Sequence, residues 1–236
     1  MVQLNLDAVK EPKGFMKVLQ FFFAILAFAT TTSFSTYFTF HASIKPPCND
    51  TGATVVRQEV SYPFRLDTVI QEKQLCTQPA VEGRFHFQTD TSSDAEFFVA
   101  IGVICMLYSM AALAGYTLYG ERYSESDSLP TADFLLHGLL AFLWLCAASA
   151  WAAGAGTLKD GCNPEVWMDQ VCKGNVTCTF ESGDFKGSFG KLNISLLFGF
   201  LNTFLWASNM WFLYKETPWF RGNQQAAPPA GDVGNI

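Results

Sequence analysis

The sequence predicts an all-α membrane protein: a bundle of four transmembrane helices with a small, disulfide-braced and partly β first loop on the lumenal side. Three observations predict it. Half of the 236 residues are hydrophobic and only 15% are charged, against roughly 25% in a typical soluble chain. Four stretches, 18–40, 97–119, 134–158 and 192–214, contain no Asp, Glu, Lys or Arg. Five of the 7 cysteines lie in the two longer segments between those stretches.

Each uncharged stretch is long enough to cross a bilayer. At about 1.5 Å rise per residue, the shorter ones reach roughly 34 Å, against a hydrocarbon core of about 30 Å. A soluble helix of that length carries a charged face, and none of these does. A spanning helix satisfies its own backbone polar groups, which is what lipid requires. The first stretch is too long for the apolar core of a signal peptide and is followed by no clear small-residue cleavage site, so it reads as an uncleaved span.

The remaining segments follow in order. Residues 1–17 form a polar head with Lys10, Lys13 and Lys17. Residues 41–96 form a long loop, 120–133 a short one and 159–191 a second longer loop. Residues 219–236 are a tail rich in Ala, Pro and Gly, read as disordered. Four spans put both ends on one side. Lys and Arg density barely favours that side as the cytosol; cysteine chemistry decides it. Cys48, Cys76, Cys162, Cys172 and Cys178 lie in the two longer loops, and disulfides persist in an oxidising compartment. The sequons at Asn49, Asn175 and Asn193 avoid the head, short loop and tail. Asn193 abuts the fourth span, which leaves Asn49 and Asn175 as the glycosylation candidates.

In the first loop, residues 54–60 are rich in β-branched side chains, and Phe85 and Phe87 alternate with polar neighbours. Both are strand signals. A Cys48–Cys76 disulfide would brace such a small sheet, and Cys172–Cys178 would close a short second loop. Cys162 is then left over, either free or paired between chains. Cys105 and Cys146, inside spans, read as small apolar residues.

No catalytic constellation is present: no Walker sequence, no HExxH, no G-x-S-x-G. The expectation is therefore a protein that is not an enzyme and uses no cofactor or metal. A net charge of −6 leaves no basic face for nucleic acid. No acid or base falls within the uncharged stretches. His137 reads as locally hydrogen-bonded, and Glu96 and Asp133 as interfacial charges that end helices. In the fourth stretch Ser195, Gly199, Asn202, Trp206 and Asn209 recur at steps of four and three, one helical face of small and amide residues suited to helix packing or a partner. Ala111 with Gly115, and Ala150 with Gly154, form small-xxx-small pairs. Leu113, Tyr116 and Arg122 match a loose cholesterol-contact pattern.

Several strings together resemble the synaptophysin family. KEPKGFMKVLQFFFAILAFAT (10–30) resembles its opening, YPFRL (62–66) its first-loop motif, AEFFV (95–99) the start of its second span and SAWA (149–152) part of its third. NISLLFGFLN (193–202) and the W--N-WF-YKET pattern (206–217) resemble its fourth span and exit. The resemblance implies a MARVEL-type four-helix bundle in the membrane of synaptic or other small vesicles. It also implies association with a synaptobrevin-like vesicle SNARE, cholesterol and further copies of the chain. The implied role is vesicle formation, SNARE sorting and regulated exo-endocytosis. Cys48, Cys76, Cys172, Cys178 and Asn49 fall at or near the family's loop positions. The chain departs from the pattern in its short, tyrosine-free tail, in Thr31 and Thr32 where Cys-Gly is common, and in Cys162. The alternative reading is an oligomeric pore, although no charged ring is visible.

Overall fold

The computed structural model describes residues 6–45, 53–172, 174–220 and 222. A short 3₁₀ turn, Leu6–Val9, precedes α1 (Pro12–Thr32), which starts on a proline, the residue that tolerates a missing first N–H. α2 (Ser92–Glu125), α3 (Ser128–Gly161) and α5 (Gly190–Glu216) are the other long helices. All four are long and apolar enough to cross a membrane. The fold is a four-span helical bundle with small strands. A short helix, α4 (Pro164–Val171), has Asn163 as its N-cap, whose Oδ1 accepts the Glu165 N–H.

The 18–40 stretch divides between helix and strand. α1 ends at Thr32, where Thr30, Thr31 and Thr32 turn their hydroxyls back onto Leu26, Ala27 and Phe28 carbonyls. From Ser35 the apolar period changes from helical to alternating, and β1 (Ser35–Ile44) buries Phe38, Phe40 and Ala42 on one face. Absence of charge did not separate the two, because an uncharged strand and an uncharged span look alike on that criterion. The other helices extend beyond their uncharged stretches: α2 begins at Ser92 and α3 at Ser128, so Glu96 and Asp133 lie inside helices.

β1 is the central strand of a three-stranded antiparallel sheet. On one side it pairs with β2 (Thr54–Ser61), from Ser35↔Ser61 to Ala42↔Thr54; on the other with β5 (Val176–Thr179), from His41↔Thr179 to Ile44↔Val176. β3 (Ile70–Thr77) and β4 (Ala80–His86) form a separate hairpin with an irregularity between Gln74 and Cys76. The disulfide Cys172–Cys178 ties the end of α4 to β5.

The chain divides into two compact units. One comprises Met1–Ile25, Ile101–Cys146 and Gly199–Ile236; the other Leu26–Ala100 and Ala147–Phe198. The second contains the strands. Its core is aromatic: Phe38 meets Phe87 and Phe40 meets Phe85 edge-on, each at 5.5 Å, and Phe64 stacks on Trp151 at 5.3 Å. Phe64 has φ of +70°, unusual for a bulky residue. The turn is held by its neighbours. Thr91 N–H donates to the Phe64 carbonyl at 3.3 Å and Leu66 N–H to the Thr89 carbonyl at 3.0 Å. Arg65 donates to Ser92 Oγ at 3.2 Å and pairs with Glu96 at 3.4 Å. The YPFRL string therefore fastens its turn to the start of α2. Asp90 caps that start through a 2.9 Å bond from the Ser92 N–H, and this bond holds its carboxyl below the usual range.

Candidate functional site

The spans are polar within and apolar without. Lys17, Gln20, Ser109, His137, Ser195, Asn202 and Asn209 are buried, whereas Phe22, Phe142, Leu197 and Phe204 are exposed. In lipid this polarity is expected, because an inward polar group is stabilised only by a partner.

A buried polar cluster in the first unit centres on Asp133. The hydroxyls of Tyr108 and Tyr116 donate to its two carboxylate oxygens, and Tyr123 donates to Oδ2 at 3.1 Å. α2 supplies all three tyrosines: Tyr108 and Tyr116 stand eight residues apart on one face, and Tyr123 follows the kink at Tyr119, whose φ of −129° and ψ of 29° are not helical. The Lys17 ammonium lies 3.9 Å from Oδ1 and 4.3 Å from the centre of the Tyr108 ring. It also contacts His137 Nδ1 at 3.0 Å, while His137 Nε2 lies 2.9 Å from the Trp206 carbonyl. A carbonyl only accepts, so Nε2 carries the imidazole proton and Nδ1 accepts from Lys17. His137 stacks on Trp206 with ring centres 4.5 Å apart. Both its nitrogens are committed, so it is a structural hydrogen-bonder with no position free to relay protons.

Above this cluster Lys13 reaches Glu216 at 3.4 Å and Glu11 at 3.2 Å, and lies 5.8 and 5.2 Å from the Tyr116 and Tyr123 rings. Beside it, between α2 and α3, a cavity of about 470 Å³ is lined by Ala112, Gly115, Tyr119, Arg122 and Leu136 together with Asp133 and its tyrosines.

Lys17 and Asp133 correct the expectation that no acid or base lies within a span. Ending each span at the nearest charge excludes every charge by construction. The available signal was periodicity: Lys13, Lys17, Gln20, Ala24, Ala27 and Thr31 recur at steps of four and three along α1, and Asp133 precedes His137 by one turn.

The stripe on α5 is buried within the chain at all five positions. Ser195 accepts from Trp151 Nε1 at 3.1 Å, and Asn202 donates to the Phe23 carbonyl at 2.9 Å. Trp206 takes the His137 bond, and the Asn209 amide makes no hydrogen bond among the described residues. These residues are buried inside their own units, and on the opposite side of α5 Leu197, Phe200, Phe204 and Trp211 are exposed. Of the cholesterol pattern, Tyr116 is buried on Asp133, Leu113 is half-buried and Arg122 is exposed. Gly154 admits close approach, since a Cβ there would lie 2.9 Å from Asp94 Cβ. Gly115 does not, since among the described residues a Cβ there would meet nothing within 4 Å.

Cys172 and Cys178 are bonded to each other, and Cys76 is disulfide-bonded. Its expected partner Cys48, the candidate Asn49 and residues 223–236 of the tail lie outside the described residues. Asn175 is exposed. Cys162 is free and buried, and burial pushes its thiol up to about 12, which disfavours a bond to another chain. Among known families, residues 8–212 match the model of MARVEL, described as a membrane-associating domain.

Proposed function

The chain belongs to the MARVEL family of membrane-associating domains, and on that premise we propose that it works by association in the membrane of synaptic or other small transport vesicles and not by catalysis. In this reading both termini face the cytosol and the disulfide-bearing segments face the lumen. Its partners are further copies of the chain, a synaptobrevin-like vesicle SNARE and cholesterol, and its role is vesicle formation, SNARE sorting and regulated exo-endocytosis. The ordered resemblance to the synaptophysin family supports the membrane, the topology and the partners.

The observation that carries the reading is the sidedness of the spans. Polar side chains are spent on internal contacts, and large apolar side chains are left on the outside, as on α5 at Leu197, Phe200, Phe204 and Trp211. Packing of such faces against neighbouring spans is how helices associate in lipid. Cholesterol enters through the same outward faces, since Tyr116 keeps its hydroxyl on Asp133.

The test is single-cysteine crosslinking in native vesicle membranes with co-purification of SNAREs. Phe204→Cys should give crosslinked oligomers and Asn202→Cys should not, and synaptobrevin should accompany the tagged chain. Absence of both crosslinking at 204 and synaptobrevin would refute the association. Selective, blockable currents from the purified protein in planar bilayers would favour an oligomeric pore instead.

A further inference from the structure

We propose that β4 is a self-complementary edge, along which two copies of the chain pair antiparallel and join their hairpins into one four-stranded sheet. The proposal rests on the reading that the chain associates with further copies, and it names a surface by which they meet. Its first support is an open edge. β4 (Ala80–His86) pairs with β3 alone. Among the described residues its other edge makes no backbone hydrogen bond. The outer side of β3 differs, since Gln71 Nε2 donates to the Arg57 carbonyl of β2 at 2.8 Å and Thr54 Oγ1 of β2 donates to the Gln74 carbonyl at 3.3 Å. An unpaired row of N–H and C=O groups is a template for a further strand.

The second support is charge. Side chains alternate along β4, so that Gly83 and Phe85 are buried while Glu82, Arg84 and His86 are exposed on the opposite face. A two-fold axis through Gly83 sets Glu82 of each copy directly across from Arg84 of the other. Within the hairpin Arg84 already faces Glu72, with 3.7 Å between charged atoms, and Glu82 faces Gln74. Pairing therefore places each arginine between two carboxylates, one from its own β3 and one from the second copy. Opposite charges directly across an antiparallel pair stabilise it, and like charges destabilise it.

The same charges select one register. A slip of two residues in one direction sets Glu82 opposite Glu82, and in the other direction Arg84 opposite Arg84. Charges of a single sign would blunt the edge against its own copy; one of each, two residues apart, admit that copy in one alignment. A two-fold contact uses the same patch on both chains and closes at a dimer. The ion pairs are exposed and individually weak. Confinement in one bilayer, which carries β4 of every copy on the same side, raises the effective concentration at which they meet.

The experiment is oxidative crosslinking of the full chain in native vesicle membranes, with two differently tagged copies co-expressed. In the proposed register residue 80 of one copy lies across from residue 86 of the other. Directly opposed Cα atoms are about 4.5–5.5 Å apart, within disulfide range. Two copies of residue 80 would be roughly 20 Å apart, six residues along a strand. Ala80→Cys should therefore crosslink with His86→Cys, and neither should crosslink with itself. In that cysteine pair, Arg84→Glu in both chains, or Glu82→Lys in both, should lower the yield by about 2- to 30-fold, as expected for two lost cross-strand pairs. Glu82→Lys in one chain with Arg84→Glu in the other should restore it, and this rescue separates a lost contact from a misfolded hairpin. Self-crosslinking of Ala80→Cys as strong as its crosslinking with His86→Cys, or charge variants without effect, would overturn the proposal. Absence of β4 crosslinks while Phe204→Cys still crosslinks would overturn this interface and leave association through the spans standing.

Discussion

Replacing Lys17 by Met should cost more than replacing both Lys17 and Asp133. The ammonium is fully buried and lies 3.9 Å from a carboxylate whose side chain is only 11% exposed. At an effective dielectric near 20, that separation gives about 4 kcal/mol of attraction. The hydrogen bond to His137 adds about 1.5–3 kcal/mol, and the Tyr108 ring about 0.5–2 kcal/mol. Desolvating two charges costs several kcal/mol each, so the pair contributes little net stability. Removing one member is different, because it strands a buried charge at a cost of about 3–5 kcal/mol. Lys17→Met and Asp133→Asn should each lower the unfolding midpoint by about 6–20 °C in a chain of this size. Lys17→Met combined with Asp133→Asn should lose less than either single variant. Buried Cys105 and Cys162 supply the assay, since a thiol-reactive fluorophore reports their exposure on heating. Single variants within a degree of wild type, or a double variant at the sum of the singles, would refute the reasoning.

Further outcomes are expected elsewhere. Phe64→Ala should cost about 3–5 kcal/mol, because its fully buried ring stacks on Trp151 and contacts Phe34; the same fluorophore assay checks it. Gly154→Ala should destabilise by about 1–3 kcal/mol through contact with Asp94, while Gly115→Ala should be neutral or stabilising by up to ~1 kcal/mol. For Asp90, a carboxyl held low by the Ser92 N–H, the folded pKa lies below the unfolded value near 3.9. Its contribution is therefore complete above about pH 4 and is lost as pH falls through the folded value. Midpoints measured from pH 6 downward should show a shallower acid decline in Asp90→Asn. Cys162 should resist alkylation at pH 8 in the folded protein, as burial and its raised pKa both predict, and react after unfolding; mass spectrometry of the labelled peptide decides.

Four spans were legible because length and absence of charge are what lipid selects, and α2, α3 and α5 contain the uncharged stretches from which they were read. Phe85 was legible as a strand residue by alternation, and Val56 by the β-branched run around it. β1 was not, because its uncharged residues join the end of α1 without a polar break. β5 was hidden by its length of four residues and by pairing with a strand far away in sequence. The Asp133 cluster needed three helices to be brought together. Periodicity hinted at Lys17, but nothing local tells that Tyr108, Tyr116 and Tyr123 would point at one carboxylate. The small-residue pairs show the same limit from the other side. Gly154 and Gly115 share a sequence pattern, yet one faces Asp94 and the other meets no neighbour among the described residues.

The position of β1 at the centre of its sheet sets a timetable for biogenesis. β2 ends at Ser61, but β5 begins only at Val176. At ribosomal speeds of about 5–20 residues per second, the second partner emerges roughly 6–23 s after the first. Throughout that delay β1 presents an unfilled edge, an attractive template for other extended chains. A polypeptide interrupted after the third span would keep that edge permanently, and chaperones that survey nascent membrane proteins would have a ready mark by which to tell an unfinished copy from a complete one.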